Sequence, residues 1–428
     1  MSSAGMHFPM LPLSSIGVRL LDCEHWTPKP SPKGFPYIAI PDIKNGHIDL
    51  ANVRLISRED YQSWTRKTKP QIGDIIVTRR GRVGDTAVVP KGLECAIGQD
   101  LVILRSDETQ VLQRFLRWAL RGPLYEREVQ KYLNVGAIFD SLNCSDIPKF
   151  QIPVPSIPEQ SAISDVLDAL DSKIELNQQM NQNLEAVGRA IFKRWFVDFK
   201  FPNEEGKPYR SSGGEMVYND EFGKEIPKGW ERGRLADICE ITMGQSPPGK
   251  TYNERNNGLP FFQGIRDFGF RFPSKRVYCT APTRFAEEGD VLLSVRAPVG
   301  SLNVVEERCA IGRGVAALRL KGRQNGFLYY LLLATRSAWD KFESEGTVFG
   351  SATKQDVHDF KIVIPPKNQR DQFGELIESL DKRILLNERE SRILAAIRDS
   401  LLPRLMSGKI RIPIPKENVE AYNAQSAS

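Results

Sequence analysis

Long apolar runs, paired cysteines and clustered histidines are all absent from this sequence of 428 residues. No apolar run reaches about 18 residues, so we expect no membrane-spanning helix. The six cysteines are scattered without a C-x-x-C pair and no signal peptide precedes them, so we expect reduced thiols and a cytoplasmic location. We expect no metal site, because metal-ligand spacing is absent among the histidines, which are His7, His25, His47 and His358.

One stretch fits a nucleotide-binding pattern. GQSPPGKT, residues 244–251, satisfies G-x-x-x-x-G-K-[ST] at every specified position. That pattern binds phosphate only where its loop joins a strand to a helix. The segment ICEITM predicts the strand, but YNERNNGLPFF follows Thr251, and Pro247 and Pro248 lack backbone N–H donors. We therefore interpret the stretch as a turn-rich binding loop, with a P-loop NTPase as an alternative.

The overall composition predicts several domains and a mild preference for polyanions. A chain of this length exceeds one ordinary core, so we expect two to four domains. The hydrophobic content of 40% is enough for packed cores. A formal net charge of +6 favours a polyanionic partner such as DNA, although the excess is spread over a long chain.

The chain contains a long internal repeat. ALDSKIELNQQMNQNLEAVGRAIFKRWF matches SLDKRILLNERESRILAAIRDSLLPRL, so that Asp171 corresponds to Asp381 at an offset of 210. Apolar residues recur at spacings of three and four in both copies, as in a coiled-coil seam of about five heptads. The predicted helix-pairing residues are Ile163, Leu167, Leu170, Ile174, Asn177, Leu184, Ile191, Phe373, Ile377, Leu380, Ile384, Asn387, Leu394 and Leu401.

Polar residues and prolines refine the prediction for the two helices. Asn177 and Asn387 occupy equivalent seam positions, where a buried amide lowers stability but fixes register and partner. Ser156 followed by Glu159 predicts a capping-box start of the first helix. Pro403 predicts that the second helix ends or kinks near Leu402. The alternative is that each helix packs only on its own globular neighbour.

The segments before each helix repeat more weakly. GDIIVTRRGRVGDTAVV (73–89) matches GDVLLSVRAPVGSLNVV (289–305) at an offset of 216, and CAIGQDLVILR matches CAIGRGVAALR. Each copy is predicted to be a module of short strands and Gly/Pro turns followed by small helices. The predicted fold class is α+β, with two similar strand-rich domains separated by a pair of long antiparallel coiled-coil helices in a pseudo-two-fold internal repeat. A helix of about 39 residues spans roughly 58 Å, enough to separate two DNA-reading modules.

These motifs resemble one family nearly end to end. In their order and duplication, these motifs make the chain resemble the specificity subunit of type I restriction-modification enzymes. The segments that carry the resemblance are TPKPSPKGFPYIAIPDIKNGHIDL, IPVPSIPEQSAI, LDSKIELNQQMNQNLE, YRSSGGEMV, GKEIPKGW, IPPKNQ and LLPRLMSGKIRI. The resemblance implies a non-catalytic subunit whose two target-recognition domains read a split DNA sequence while the helices set the gap. It implies as partners double-stranded DNA, two modification (methyltransferase) subunits and two ATP-dependent restriction subunits.

The resemblance also implies that this chain binds no cofactor, because S-adenosylmethionine, ATP and magnesium belong to the partner subunits. The sequence is consistent with this, since it has no N-P-P-[FY] or D-P-P-Y motif with which an adenine methyltransferase holds a flipped base, and no glycine-rich cofactor loop after a strand. Two further alternatives are a specificity subunit of a combined restriction-methylation enzyme outside type I and a coiled-coil scaffold that binds no DNA.

The repeat and the resemblance together predict the domain boundaries. The first target-recognition domain is expected at 1–152 and the central conserved helical region at 153–200. The connector and second target-recognition domain are expected at 201–362, the distal helical region at 363–410, and a C-terminal tail at 411–428.

The candidate DNA contacts are polar and mostly basic residues on turns. Arginine can hold phosphate or read guanine through a bidentate fork, and lysines on Pro/Gly loops favour phosphate. The candidates are Lys29, Lys33, Lys44, Asn45, Arg79, Arg80, Arg82, Lys250, Arg266, Arg271, Lys275, Arg276 and Arg296. For residues 79–82 the alternative to DNA contact is a solvated turn. For the segment in which phenylalanines alternate at 268, 270 and 272, the alternative is a half-buried strand.

Overall fold

The computed structural model describes residues 8–24, 26–136, 139–221, 223–322, 325–344 and 350–414. His7, His25 and the tail beyond residue 414 lie outside these ranges. The chain divides into two compact units, unit 1 (Met1–Ile174 with Arg392–Ser428) and unit 2 (Glu175–Ser391). Each unit therefore includes a part of both predicted long helices.

Unit 1 consists mainly of short strands. These are β1 (Met10–Pro12), β2 (Val18–Asp22), β3 (Phe35–Ile38), β4 (Ile43–Lys44), β5 (His47–Ile48), β6 (Arg54–Ile56), β7 (Ile75–Thr78), β8 (Thr86–Val88), β9 (Ala96–Ile97), β10 (Leu101–Ser106) and β11 (Gln151–Pro153). Its helices are α1 (Arg58–Trp64), α2 (Gln113–Ala119), α3 (Gly122–Lys131) and the first part of α4 (Ile157–Phe192).

The central sheet of unit 1 is antiparallel and has the strand order β2-β10-β7-β8. Strand β7 reads IIVT and is buried at every residue. Successive side chains of a strand point to opposite faces, and here both faces are covered: Ile75 and Val77 pack in a cluster with Phe115, whereas Ile76 packs in a cluster with Ile38. A second sheet, β6-β3-β9, contains the parallel pair β3–β9.

Unit 2 has a similar composition of elements. Its strands are β12 (Met216–Asn219), β13 (Lys224–Pro227), β14 (Glu231–Arg234), β15 (Cys239–Met243), β16 (Tyr252–Asn253), β17 (Leu259–Phe262), β18 (Tyr278–Cys279), β19 (Phe285–Ala286), β20 (Val291–Ser294), β21 (Leu302–Val304), β22 (Cys309–Ile311), β23 (Val315–Leu320) and β24 (Lys361–Ile364). Its helices are the last part of α4, α5 (Leu235–Ile238), α6 (Asn325–Ala334), α7 (Lys341–Ser344), α8 (Lys354–His358) and most of α9 (Lys367–Met406).

The sheets of unit 2 repeat those of unit 1. The order β15-β23-β20-β21 reproduces β2-β10-β7-β8, again with antiparallel neighbours. The parallel pair β17–β22 reproduces β3–β9. Strand β20 reads VLLS and is fully buried, as β7 is. The prediction of two similar strand-rich modules, each followed by small helices, is therefore confirmed.

The start of the first long helix agrees with the sequence prediction, and the end of the second does not. Helix α4 begins at Ile157, where the Ser156 backbone N–H donates to the Glu159 carboxylate at 3.1 Å, so the predicted start is confirmed. The prediction is that the second helix ends or kinks near Leu402. The end is wrong, because α9 continues to Met406 with Pro403 inside it. Pro403 removes only one N–H donor near the helix end. Burial of Leu402, Leu405 and Met406 in the core of unit 1 outweighs that loss.

All six cysteines are free thiols, as expected. Cys144 is half-buried and the others are buried. Burial raises the pKa of Cys23, Cys95, Cys239 and Cys309 to about 12. Within the described ranges, no helix is both long and apolar enough to cross a membrane.

Candidate nucleic-acid interface

The first candidate group lies on the turn between β7 and β8 of unit 1. Arg79 is half-buried, and its guanidinium donates to the carbonyl of Gln99 at 3.1 Å and to that of Leu142 at 3.5 Å. These bonds join the turn to neighbouring segments of the unit. Arg79 therefore fixes the β7–β8 turn within the protein.

Arg80 and Arg82 are the exposed members of this turn. Arg80 Nη1 lies 3.6 Å from Asp100, and the Arg80 side chain is 58% exposed. Arg82 donates from Nη2 to the Ile43 carbonyl at 2.6 Å, and its Nε lies 3.4 Å from Asp85 while 48% of the side chain is exposed. One edge of each guanidinium is thus fixed by the protein while much of the side chain still faces solvent.

The remaining candidates of unit 1 lie on two loops. Lys29 and Lys33 are exposed on the Pro/Gly loop before β3. Lys44 Nζ contacts Asp49 at 2.6 Å on the β4–β5 turn, and Asn45 adopts a left-handed φ of 51° in that turn. His47 follows, with Nε2 3.5 Å from Asp171 Oδ2. Lys29 and Lys33 therefore present cations to solvent, whereas Lys44 is already paired with Asp49.

The corresponding turn of unit 2, between β20 and β21, carries one arginine. Arg296 is exposed and its backbone forms an isolated bridge with Ser351. The internal repeat thus places an exposed guanidinium on equivalent turns of both units. Unit 1 has two exposed arginines there, and unit 2 has Arg296.

The GQSPPGKT stretch lacks the strand–loop–helix context of a nucleotide-binding P-loop. It follows β15, but a single 3₁₀ turn at Gly249–Thr251 leads directly into strand β16 rather than into a helix. The Thr251 hydroxyl donates to the Pro248 carbonyl at 2.7 Å. The interpretation as a turn-rich loop is confirmed, and Lys250 lies exposed on it.

The aromatic and basic segment of unit 2 is irregular rather than a strand over residues 268–272. Arg266 is exposed at its start. Lys275 pairs with Glu307. Arg276 pairs with Asp267 at 2.9 Å and with Glu254 at 3.3 Å. Intramolecular carboxylates therefore already hold two of these three cations.

Arg271 has a structural place that the sequence did not indicate. Arg271 is only 1% exposed to solvent. The guanidinium donates to Asp381 at 2.8 Å, to Glu185 at 3.3 Å and to the Tyr330 hydroxyl at 3.2 Å, and it lies 3.8 Å from the ring centroid of Tyr329. Because the group is enclosed and neutralised inside unit 2, it does not offer a surface for DNA.

Sequence reasoning missed a repeated ion pair in the two central sheets. Arg105 holds Asp74 through two contacts of 2.7 and 2.6 Å in unit 1. Arg319 holds Asp290 through contacts of 2.7 and 2.8 Å in unit 2. The signal was present in the sequence, because each copy contains an aspartate after glycine directly before β7 or β20, and an arginine in the matching LR dipeptide.

The predicted helix-pairing residues are all buried or half-buried. In unit 1, Ile163 and Leu167 of α4 share a cluster with Leu405 of α9. In unit 2, Asn177 Nδ2 donates to Glu390 at 2.8 Å, and Asn387 Nδ2 donates to Asn181 Oδ1 at 2.8 Å. Further along, the rings of Phe192 and Phe373 meet edge to face with centroids 5.6 Å apart. The two helices therefore contact each other inside each unit.

Comparison with known families decides the assignment. The profile described as "Type I restriction modification DNA specificity domain" matches residues 28–186 and again 227–395. The chain belongs to the type I restriction-modification DNA specificity family. The two matched segments contain every candidate DNA contact named above.

Similar proteins span nearly the whole chain. The putative type I restriction enzyme MjaX specificity subunit of Methanocaldococcus jannaschii is 28% identical over 390 residues, which cover 89% of this chain and 88% of the relative. The type I restriction enzyme HindI specificity subunit of Haemophilus influenzae is 25% identical, with 87% and 94% covered. The crystal structure of a type I restriction-modification S subunit from M. genitalium has a TM-score of 0.54 at 17% identity, with 94% and 97% covered, and shows the same fold.

Family membership gives the two strand-rich modules their role. The chain is a DNA specificity subunit of a type I restriction-modification system, and it carries two target-recognition domains. The expectation drawn from the sequence motifs is confirmed at this level. The exposed cations on equivalent turns lie within the two specificity domains.

Proposed function

We propose that the chain is a non-catalytic subunit that reads a bipartite duplex target, with one recognition domain for each part. The observation that carries the proposal is the double match of the specificity family to 28–186 and 227–395, together with the repeated sheet topology. A duplicated fold with divergent loops suits two different base sequences, because loop side chains read base edges while the fold positions them.

The exposed cations are the proposed contacts. Arg80 and Arg82 in unit 1 and Arg296 in unit 2 are proposed to reach the grooves, since guanidinium groups can form bidentate bonds with guanine. The phosphate contacts are proposed to be Lys29, Lys33, Lys44, Lys250 and Arg266, with Asn45, Lys275 and Arg276 as secondary contacts. Arg79 and Arg271 are left out of this set, because their guanidinium groups are occupied inside the protein.

The paired helices are proposed to form an antiparallel coiled coil related by a pseudo-two-fold axis. Support comes from contacts inside unit 2, where residue numbers on α9 fall as those on α4 rise: Asn177 meets Glu390, and Phe192 meets Phe373. The buried amides of Asn177 and Asn387 are proposed to fix the register of this pairing.

Assembly with two modification subunits and, for cleavage, two restriction subunits is the proposed quaternary context. S-adenosylmethionine, ATP and magnesium are proposed to act on those partners, so that this chain contributes recognition alone. Leu376 (45% exposed) and Leu386 (56% exposed) on α9 support a protein partner, because exposed leucines on a helix suit burial in an interface.

The proposal is tested by co-purifying the chain with its modification partner and mapping methylated adenines on a random DNA library. We expect methylation at one split sequence and none by the chain alone. Arg80→Ala with Arg82→Ala should relax one part of the target, and Arg296→Ala should relax the other. Methyl transfer by the isolated chain, or one contiguous target altered equally by both variants, would refute the proposal.

A further inference from the structure

The internal repeat allows a residue-by-residue comparison of α2 in unit 1 with α6 in unit 2. The Gln113 side chain accepts from the Ser106 backbone N–H at 2.7 Å and donates to the Gly73 carbonyl at 2.8 Å. Asn325 does the same, accepting from the N–H of Leu320 and donating to the carbonyl of Gly289, both at 2.7 Å. Residue 113 therefore corresponds to 325, which places Gly326 at the position of Arg114 and Tyr329 at that of Arg117.

In unit 1 these arginines neutralise a row of carboxylates on α4. Arg114 Nη2 lies 2.7 Å from Asp165 and 3.0 Å from Asp168. Arg117 pairs with Asp171. The row Asp165, Asp168, Asp171 is thus held by guanidinium groups from the neighbouring helix of the same unit.

In unit 2 the same row is only partly neutralised. The offset of 210 makes Glu375, Glu378 and Asp381 the counterparts of the aspartates of unit 1. Asp381 is held by Arg271 at 2.8 Å. Among the described residues, Glu378 pairs only with Lys382, one turn along its own helix, at 2.7 Å. The Glu375 carboxylate has no ion pair or hydrogen bond to any described residue.

A cleft of about 860 Å³ lies in front of this row, inside unit 2. Gly326 lines it, where a Cβ would be 3.5 Å from its nearest atom, Asp381 Oδ2, so the space of the missing arginine is open. Glu287 and Glu288 also line the cleft, whereas unit 1 has Gln71 and Ile72 at the equivalent places. Glu287 pairs with Arg308 at 3.3 Å. Glu306 lines the cleft as well. The lining holds six carboxylates and three cations, which are Arg271, Arg319 and Lys382, so carboxylates are in excess. Glu306 itself pairs with Arg389 at 3.4 Å.

We propose that this cleft, the acidic cleft of unit 2, binds arginine side chains of a protein partner. The carboxylates that a guanidinium occupies in unit 1 are retained in unit 2, but the arginine that would occupy them is replaced by glycine and the space is left open. A guanidinium matches paired carboxylates by its planar, bidentate geometry, which an ammonium group does not. Occupancy of the cleft does not require that the chain read DNA.

The test uses the full-length chain and a fluorescent, end-blocked tri-arginine peptide, with binding followed by anisotropy at physiological ionic strength. We expect tri-arginine to bind more tightly than tri-lysine, and tri-citrulline, which keeps the shape without the charge, to bind least. Glu375→Gln with Glu378→Gln should weaken tri-arginine binding about tenfold, as expected for loss of charge-assisted hydrogen bonds.

A matched control and an opposite perturbation distinguish binding in the cleft from a general effect of the net charge of the protein. Glu204→Gln with Glu205→Gln changes the net charge equally on an exposed turn of the connector and should leave binding unchanged. Gly326→Arg introduces into unit 2 the arginine that unit 1 has at the equivalent position. It should weaken tri-arginine binding about as much as the Glu375/Glu378 double variant does, and it should raise the thermal midpoint of the protein.

Equal peptide affinity in the Glu375/Glu378 and Glu204/Glu205 double variants would overturn the inference, as would tri-arginine binding no tighter than tri-citrulline. If Gly326→Arg does not fold, the glutamine variants still decide the outcome. The target of the complex with the modification subunit is mapped on the same proteins. Split-target recognition without peptide binding refutes only the cleft, whereas peptide binding without split-target recognition refutes only the proposed function.

Discussion

The buried guanidinium of Arg271 is predicted to be a main determinant of the stability of unit 2. It is the only described cation that contacts both Glu185 and Asp381, with N–O distances of 3.3 and 2.8 Å. Arg271→Met keeps most of the apolar stem but removes the charge. Glu185 would keep its ion pair with Arg189, whereas Asp381, whose side chain is 29% exposed, would lose its only cation among the described residues.

The expected loss is about 3–5 kcal/mol of unfolding free energy, the usual cost of removing one partner of a buried ion pair. Hydrogen bonding to Tyr330 and the contact with the Tyr329 ring at 3.8 Å are lost together with the ion pairs. Arg266→Met is the matched control, because Arg266 is an exposed arginine five residues away. Arg266→Met is expected to change the unfolding free energy by no more than about 0.5 kcal/mol.

The pH dependence gives an independent signature. Burial raises the pKa of Asp381 above its ordinary value, although Arg271 opposes the shift. A carboxyl whose folded pKa is raised costs stability when it is ionised, and that cost is relieved as the pH falls through the folded pKa. Without Arg271 the pKa of Asp381 rises further. The deficit of Arg271→Met relative to Arg266→Met should therefore narrow as the pH falls from neutral toward that raised pKa.

Urea denaturation of the full-length variants, followed by circular dichroism from neutral to mildly acidic pH, measures both effects. A deficit of less than about 1 kcal/mol at neutral pH would contradict the buried-pair reasoning. A deficit that widens on acidification would contradict the assigned role of Asp381. Equal losses in the two methionine variants would show that the enclosed site is no more costly to disturb than the surface.

Three further outcomes follow from the contacts described above. Asn387→Leu should cost about 1–3 kcal/mol of unfolding free energy, because it removes the donor to the Asn181 amide oxygen. Adding Asn181→Leu should recover part of that loss in a double-mutant cycle, whereas strict additivity would contradict the pairing. Buried thiols with raised pKa values, such as Cys23, should react with a disulfide reagent only on unfolding, while half-buried Cys144 reacts first; simultaneous reaction of all thiols in the native protein would contradict this. Magnesium-ATP should not shift the thermal midpoint of the wild type or of Lys250→Ala, and a shift abolished by that substitution would revive the nucleotide-binding alternative.

The repeated elements could be predicted from sequence because each signal is local and is written twice. Apolar spacing of three and four marked residues that are all buried or half-buried, and the Ser156–Glu159 pair located the start of α4. The proline signal at 403 failed because it reports only local backbone cost. Burial of Leu405 and Met406 is a tertiary contribution that a local rule does not include.

The candidate DNA contacts were harder to sort because a basic residue looks alike in sequence whether it faces solvent or a buried carboxylate. Arg266 and Arg271 lie in one segment, yet one is exposed and the other enclosed. The partners of Arg271 are 86 and 110 residues away along the chain. Such distant pairs leave no periodic trace, so folding had to be known before the two arginines could be told apart.

The division of the chain into units has a consequence for biosynthesis. Unit 2 is one continuous segment, Glu175–Ser391, whereas unit 1 needs residues 1–174 together with a segment that begins at Arg392. A ribosome therefore releases all of unit 2 before it supplies the last part of unit 1. Until then Ile163 and Leu167 lack their contacts with Leu402 and Leu405, so part of the core of unit 1 stays incomplete until the end of α9 has been synthesised.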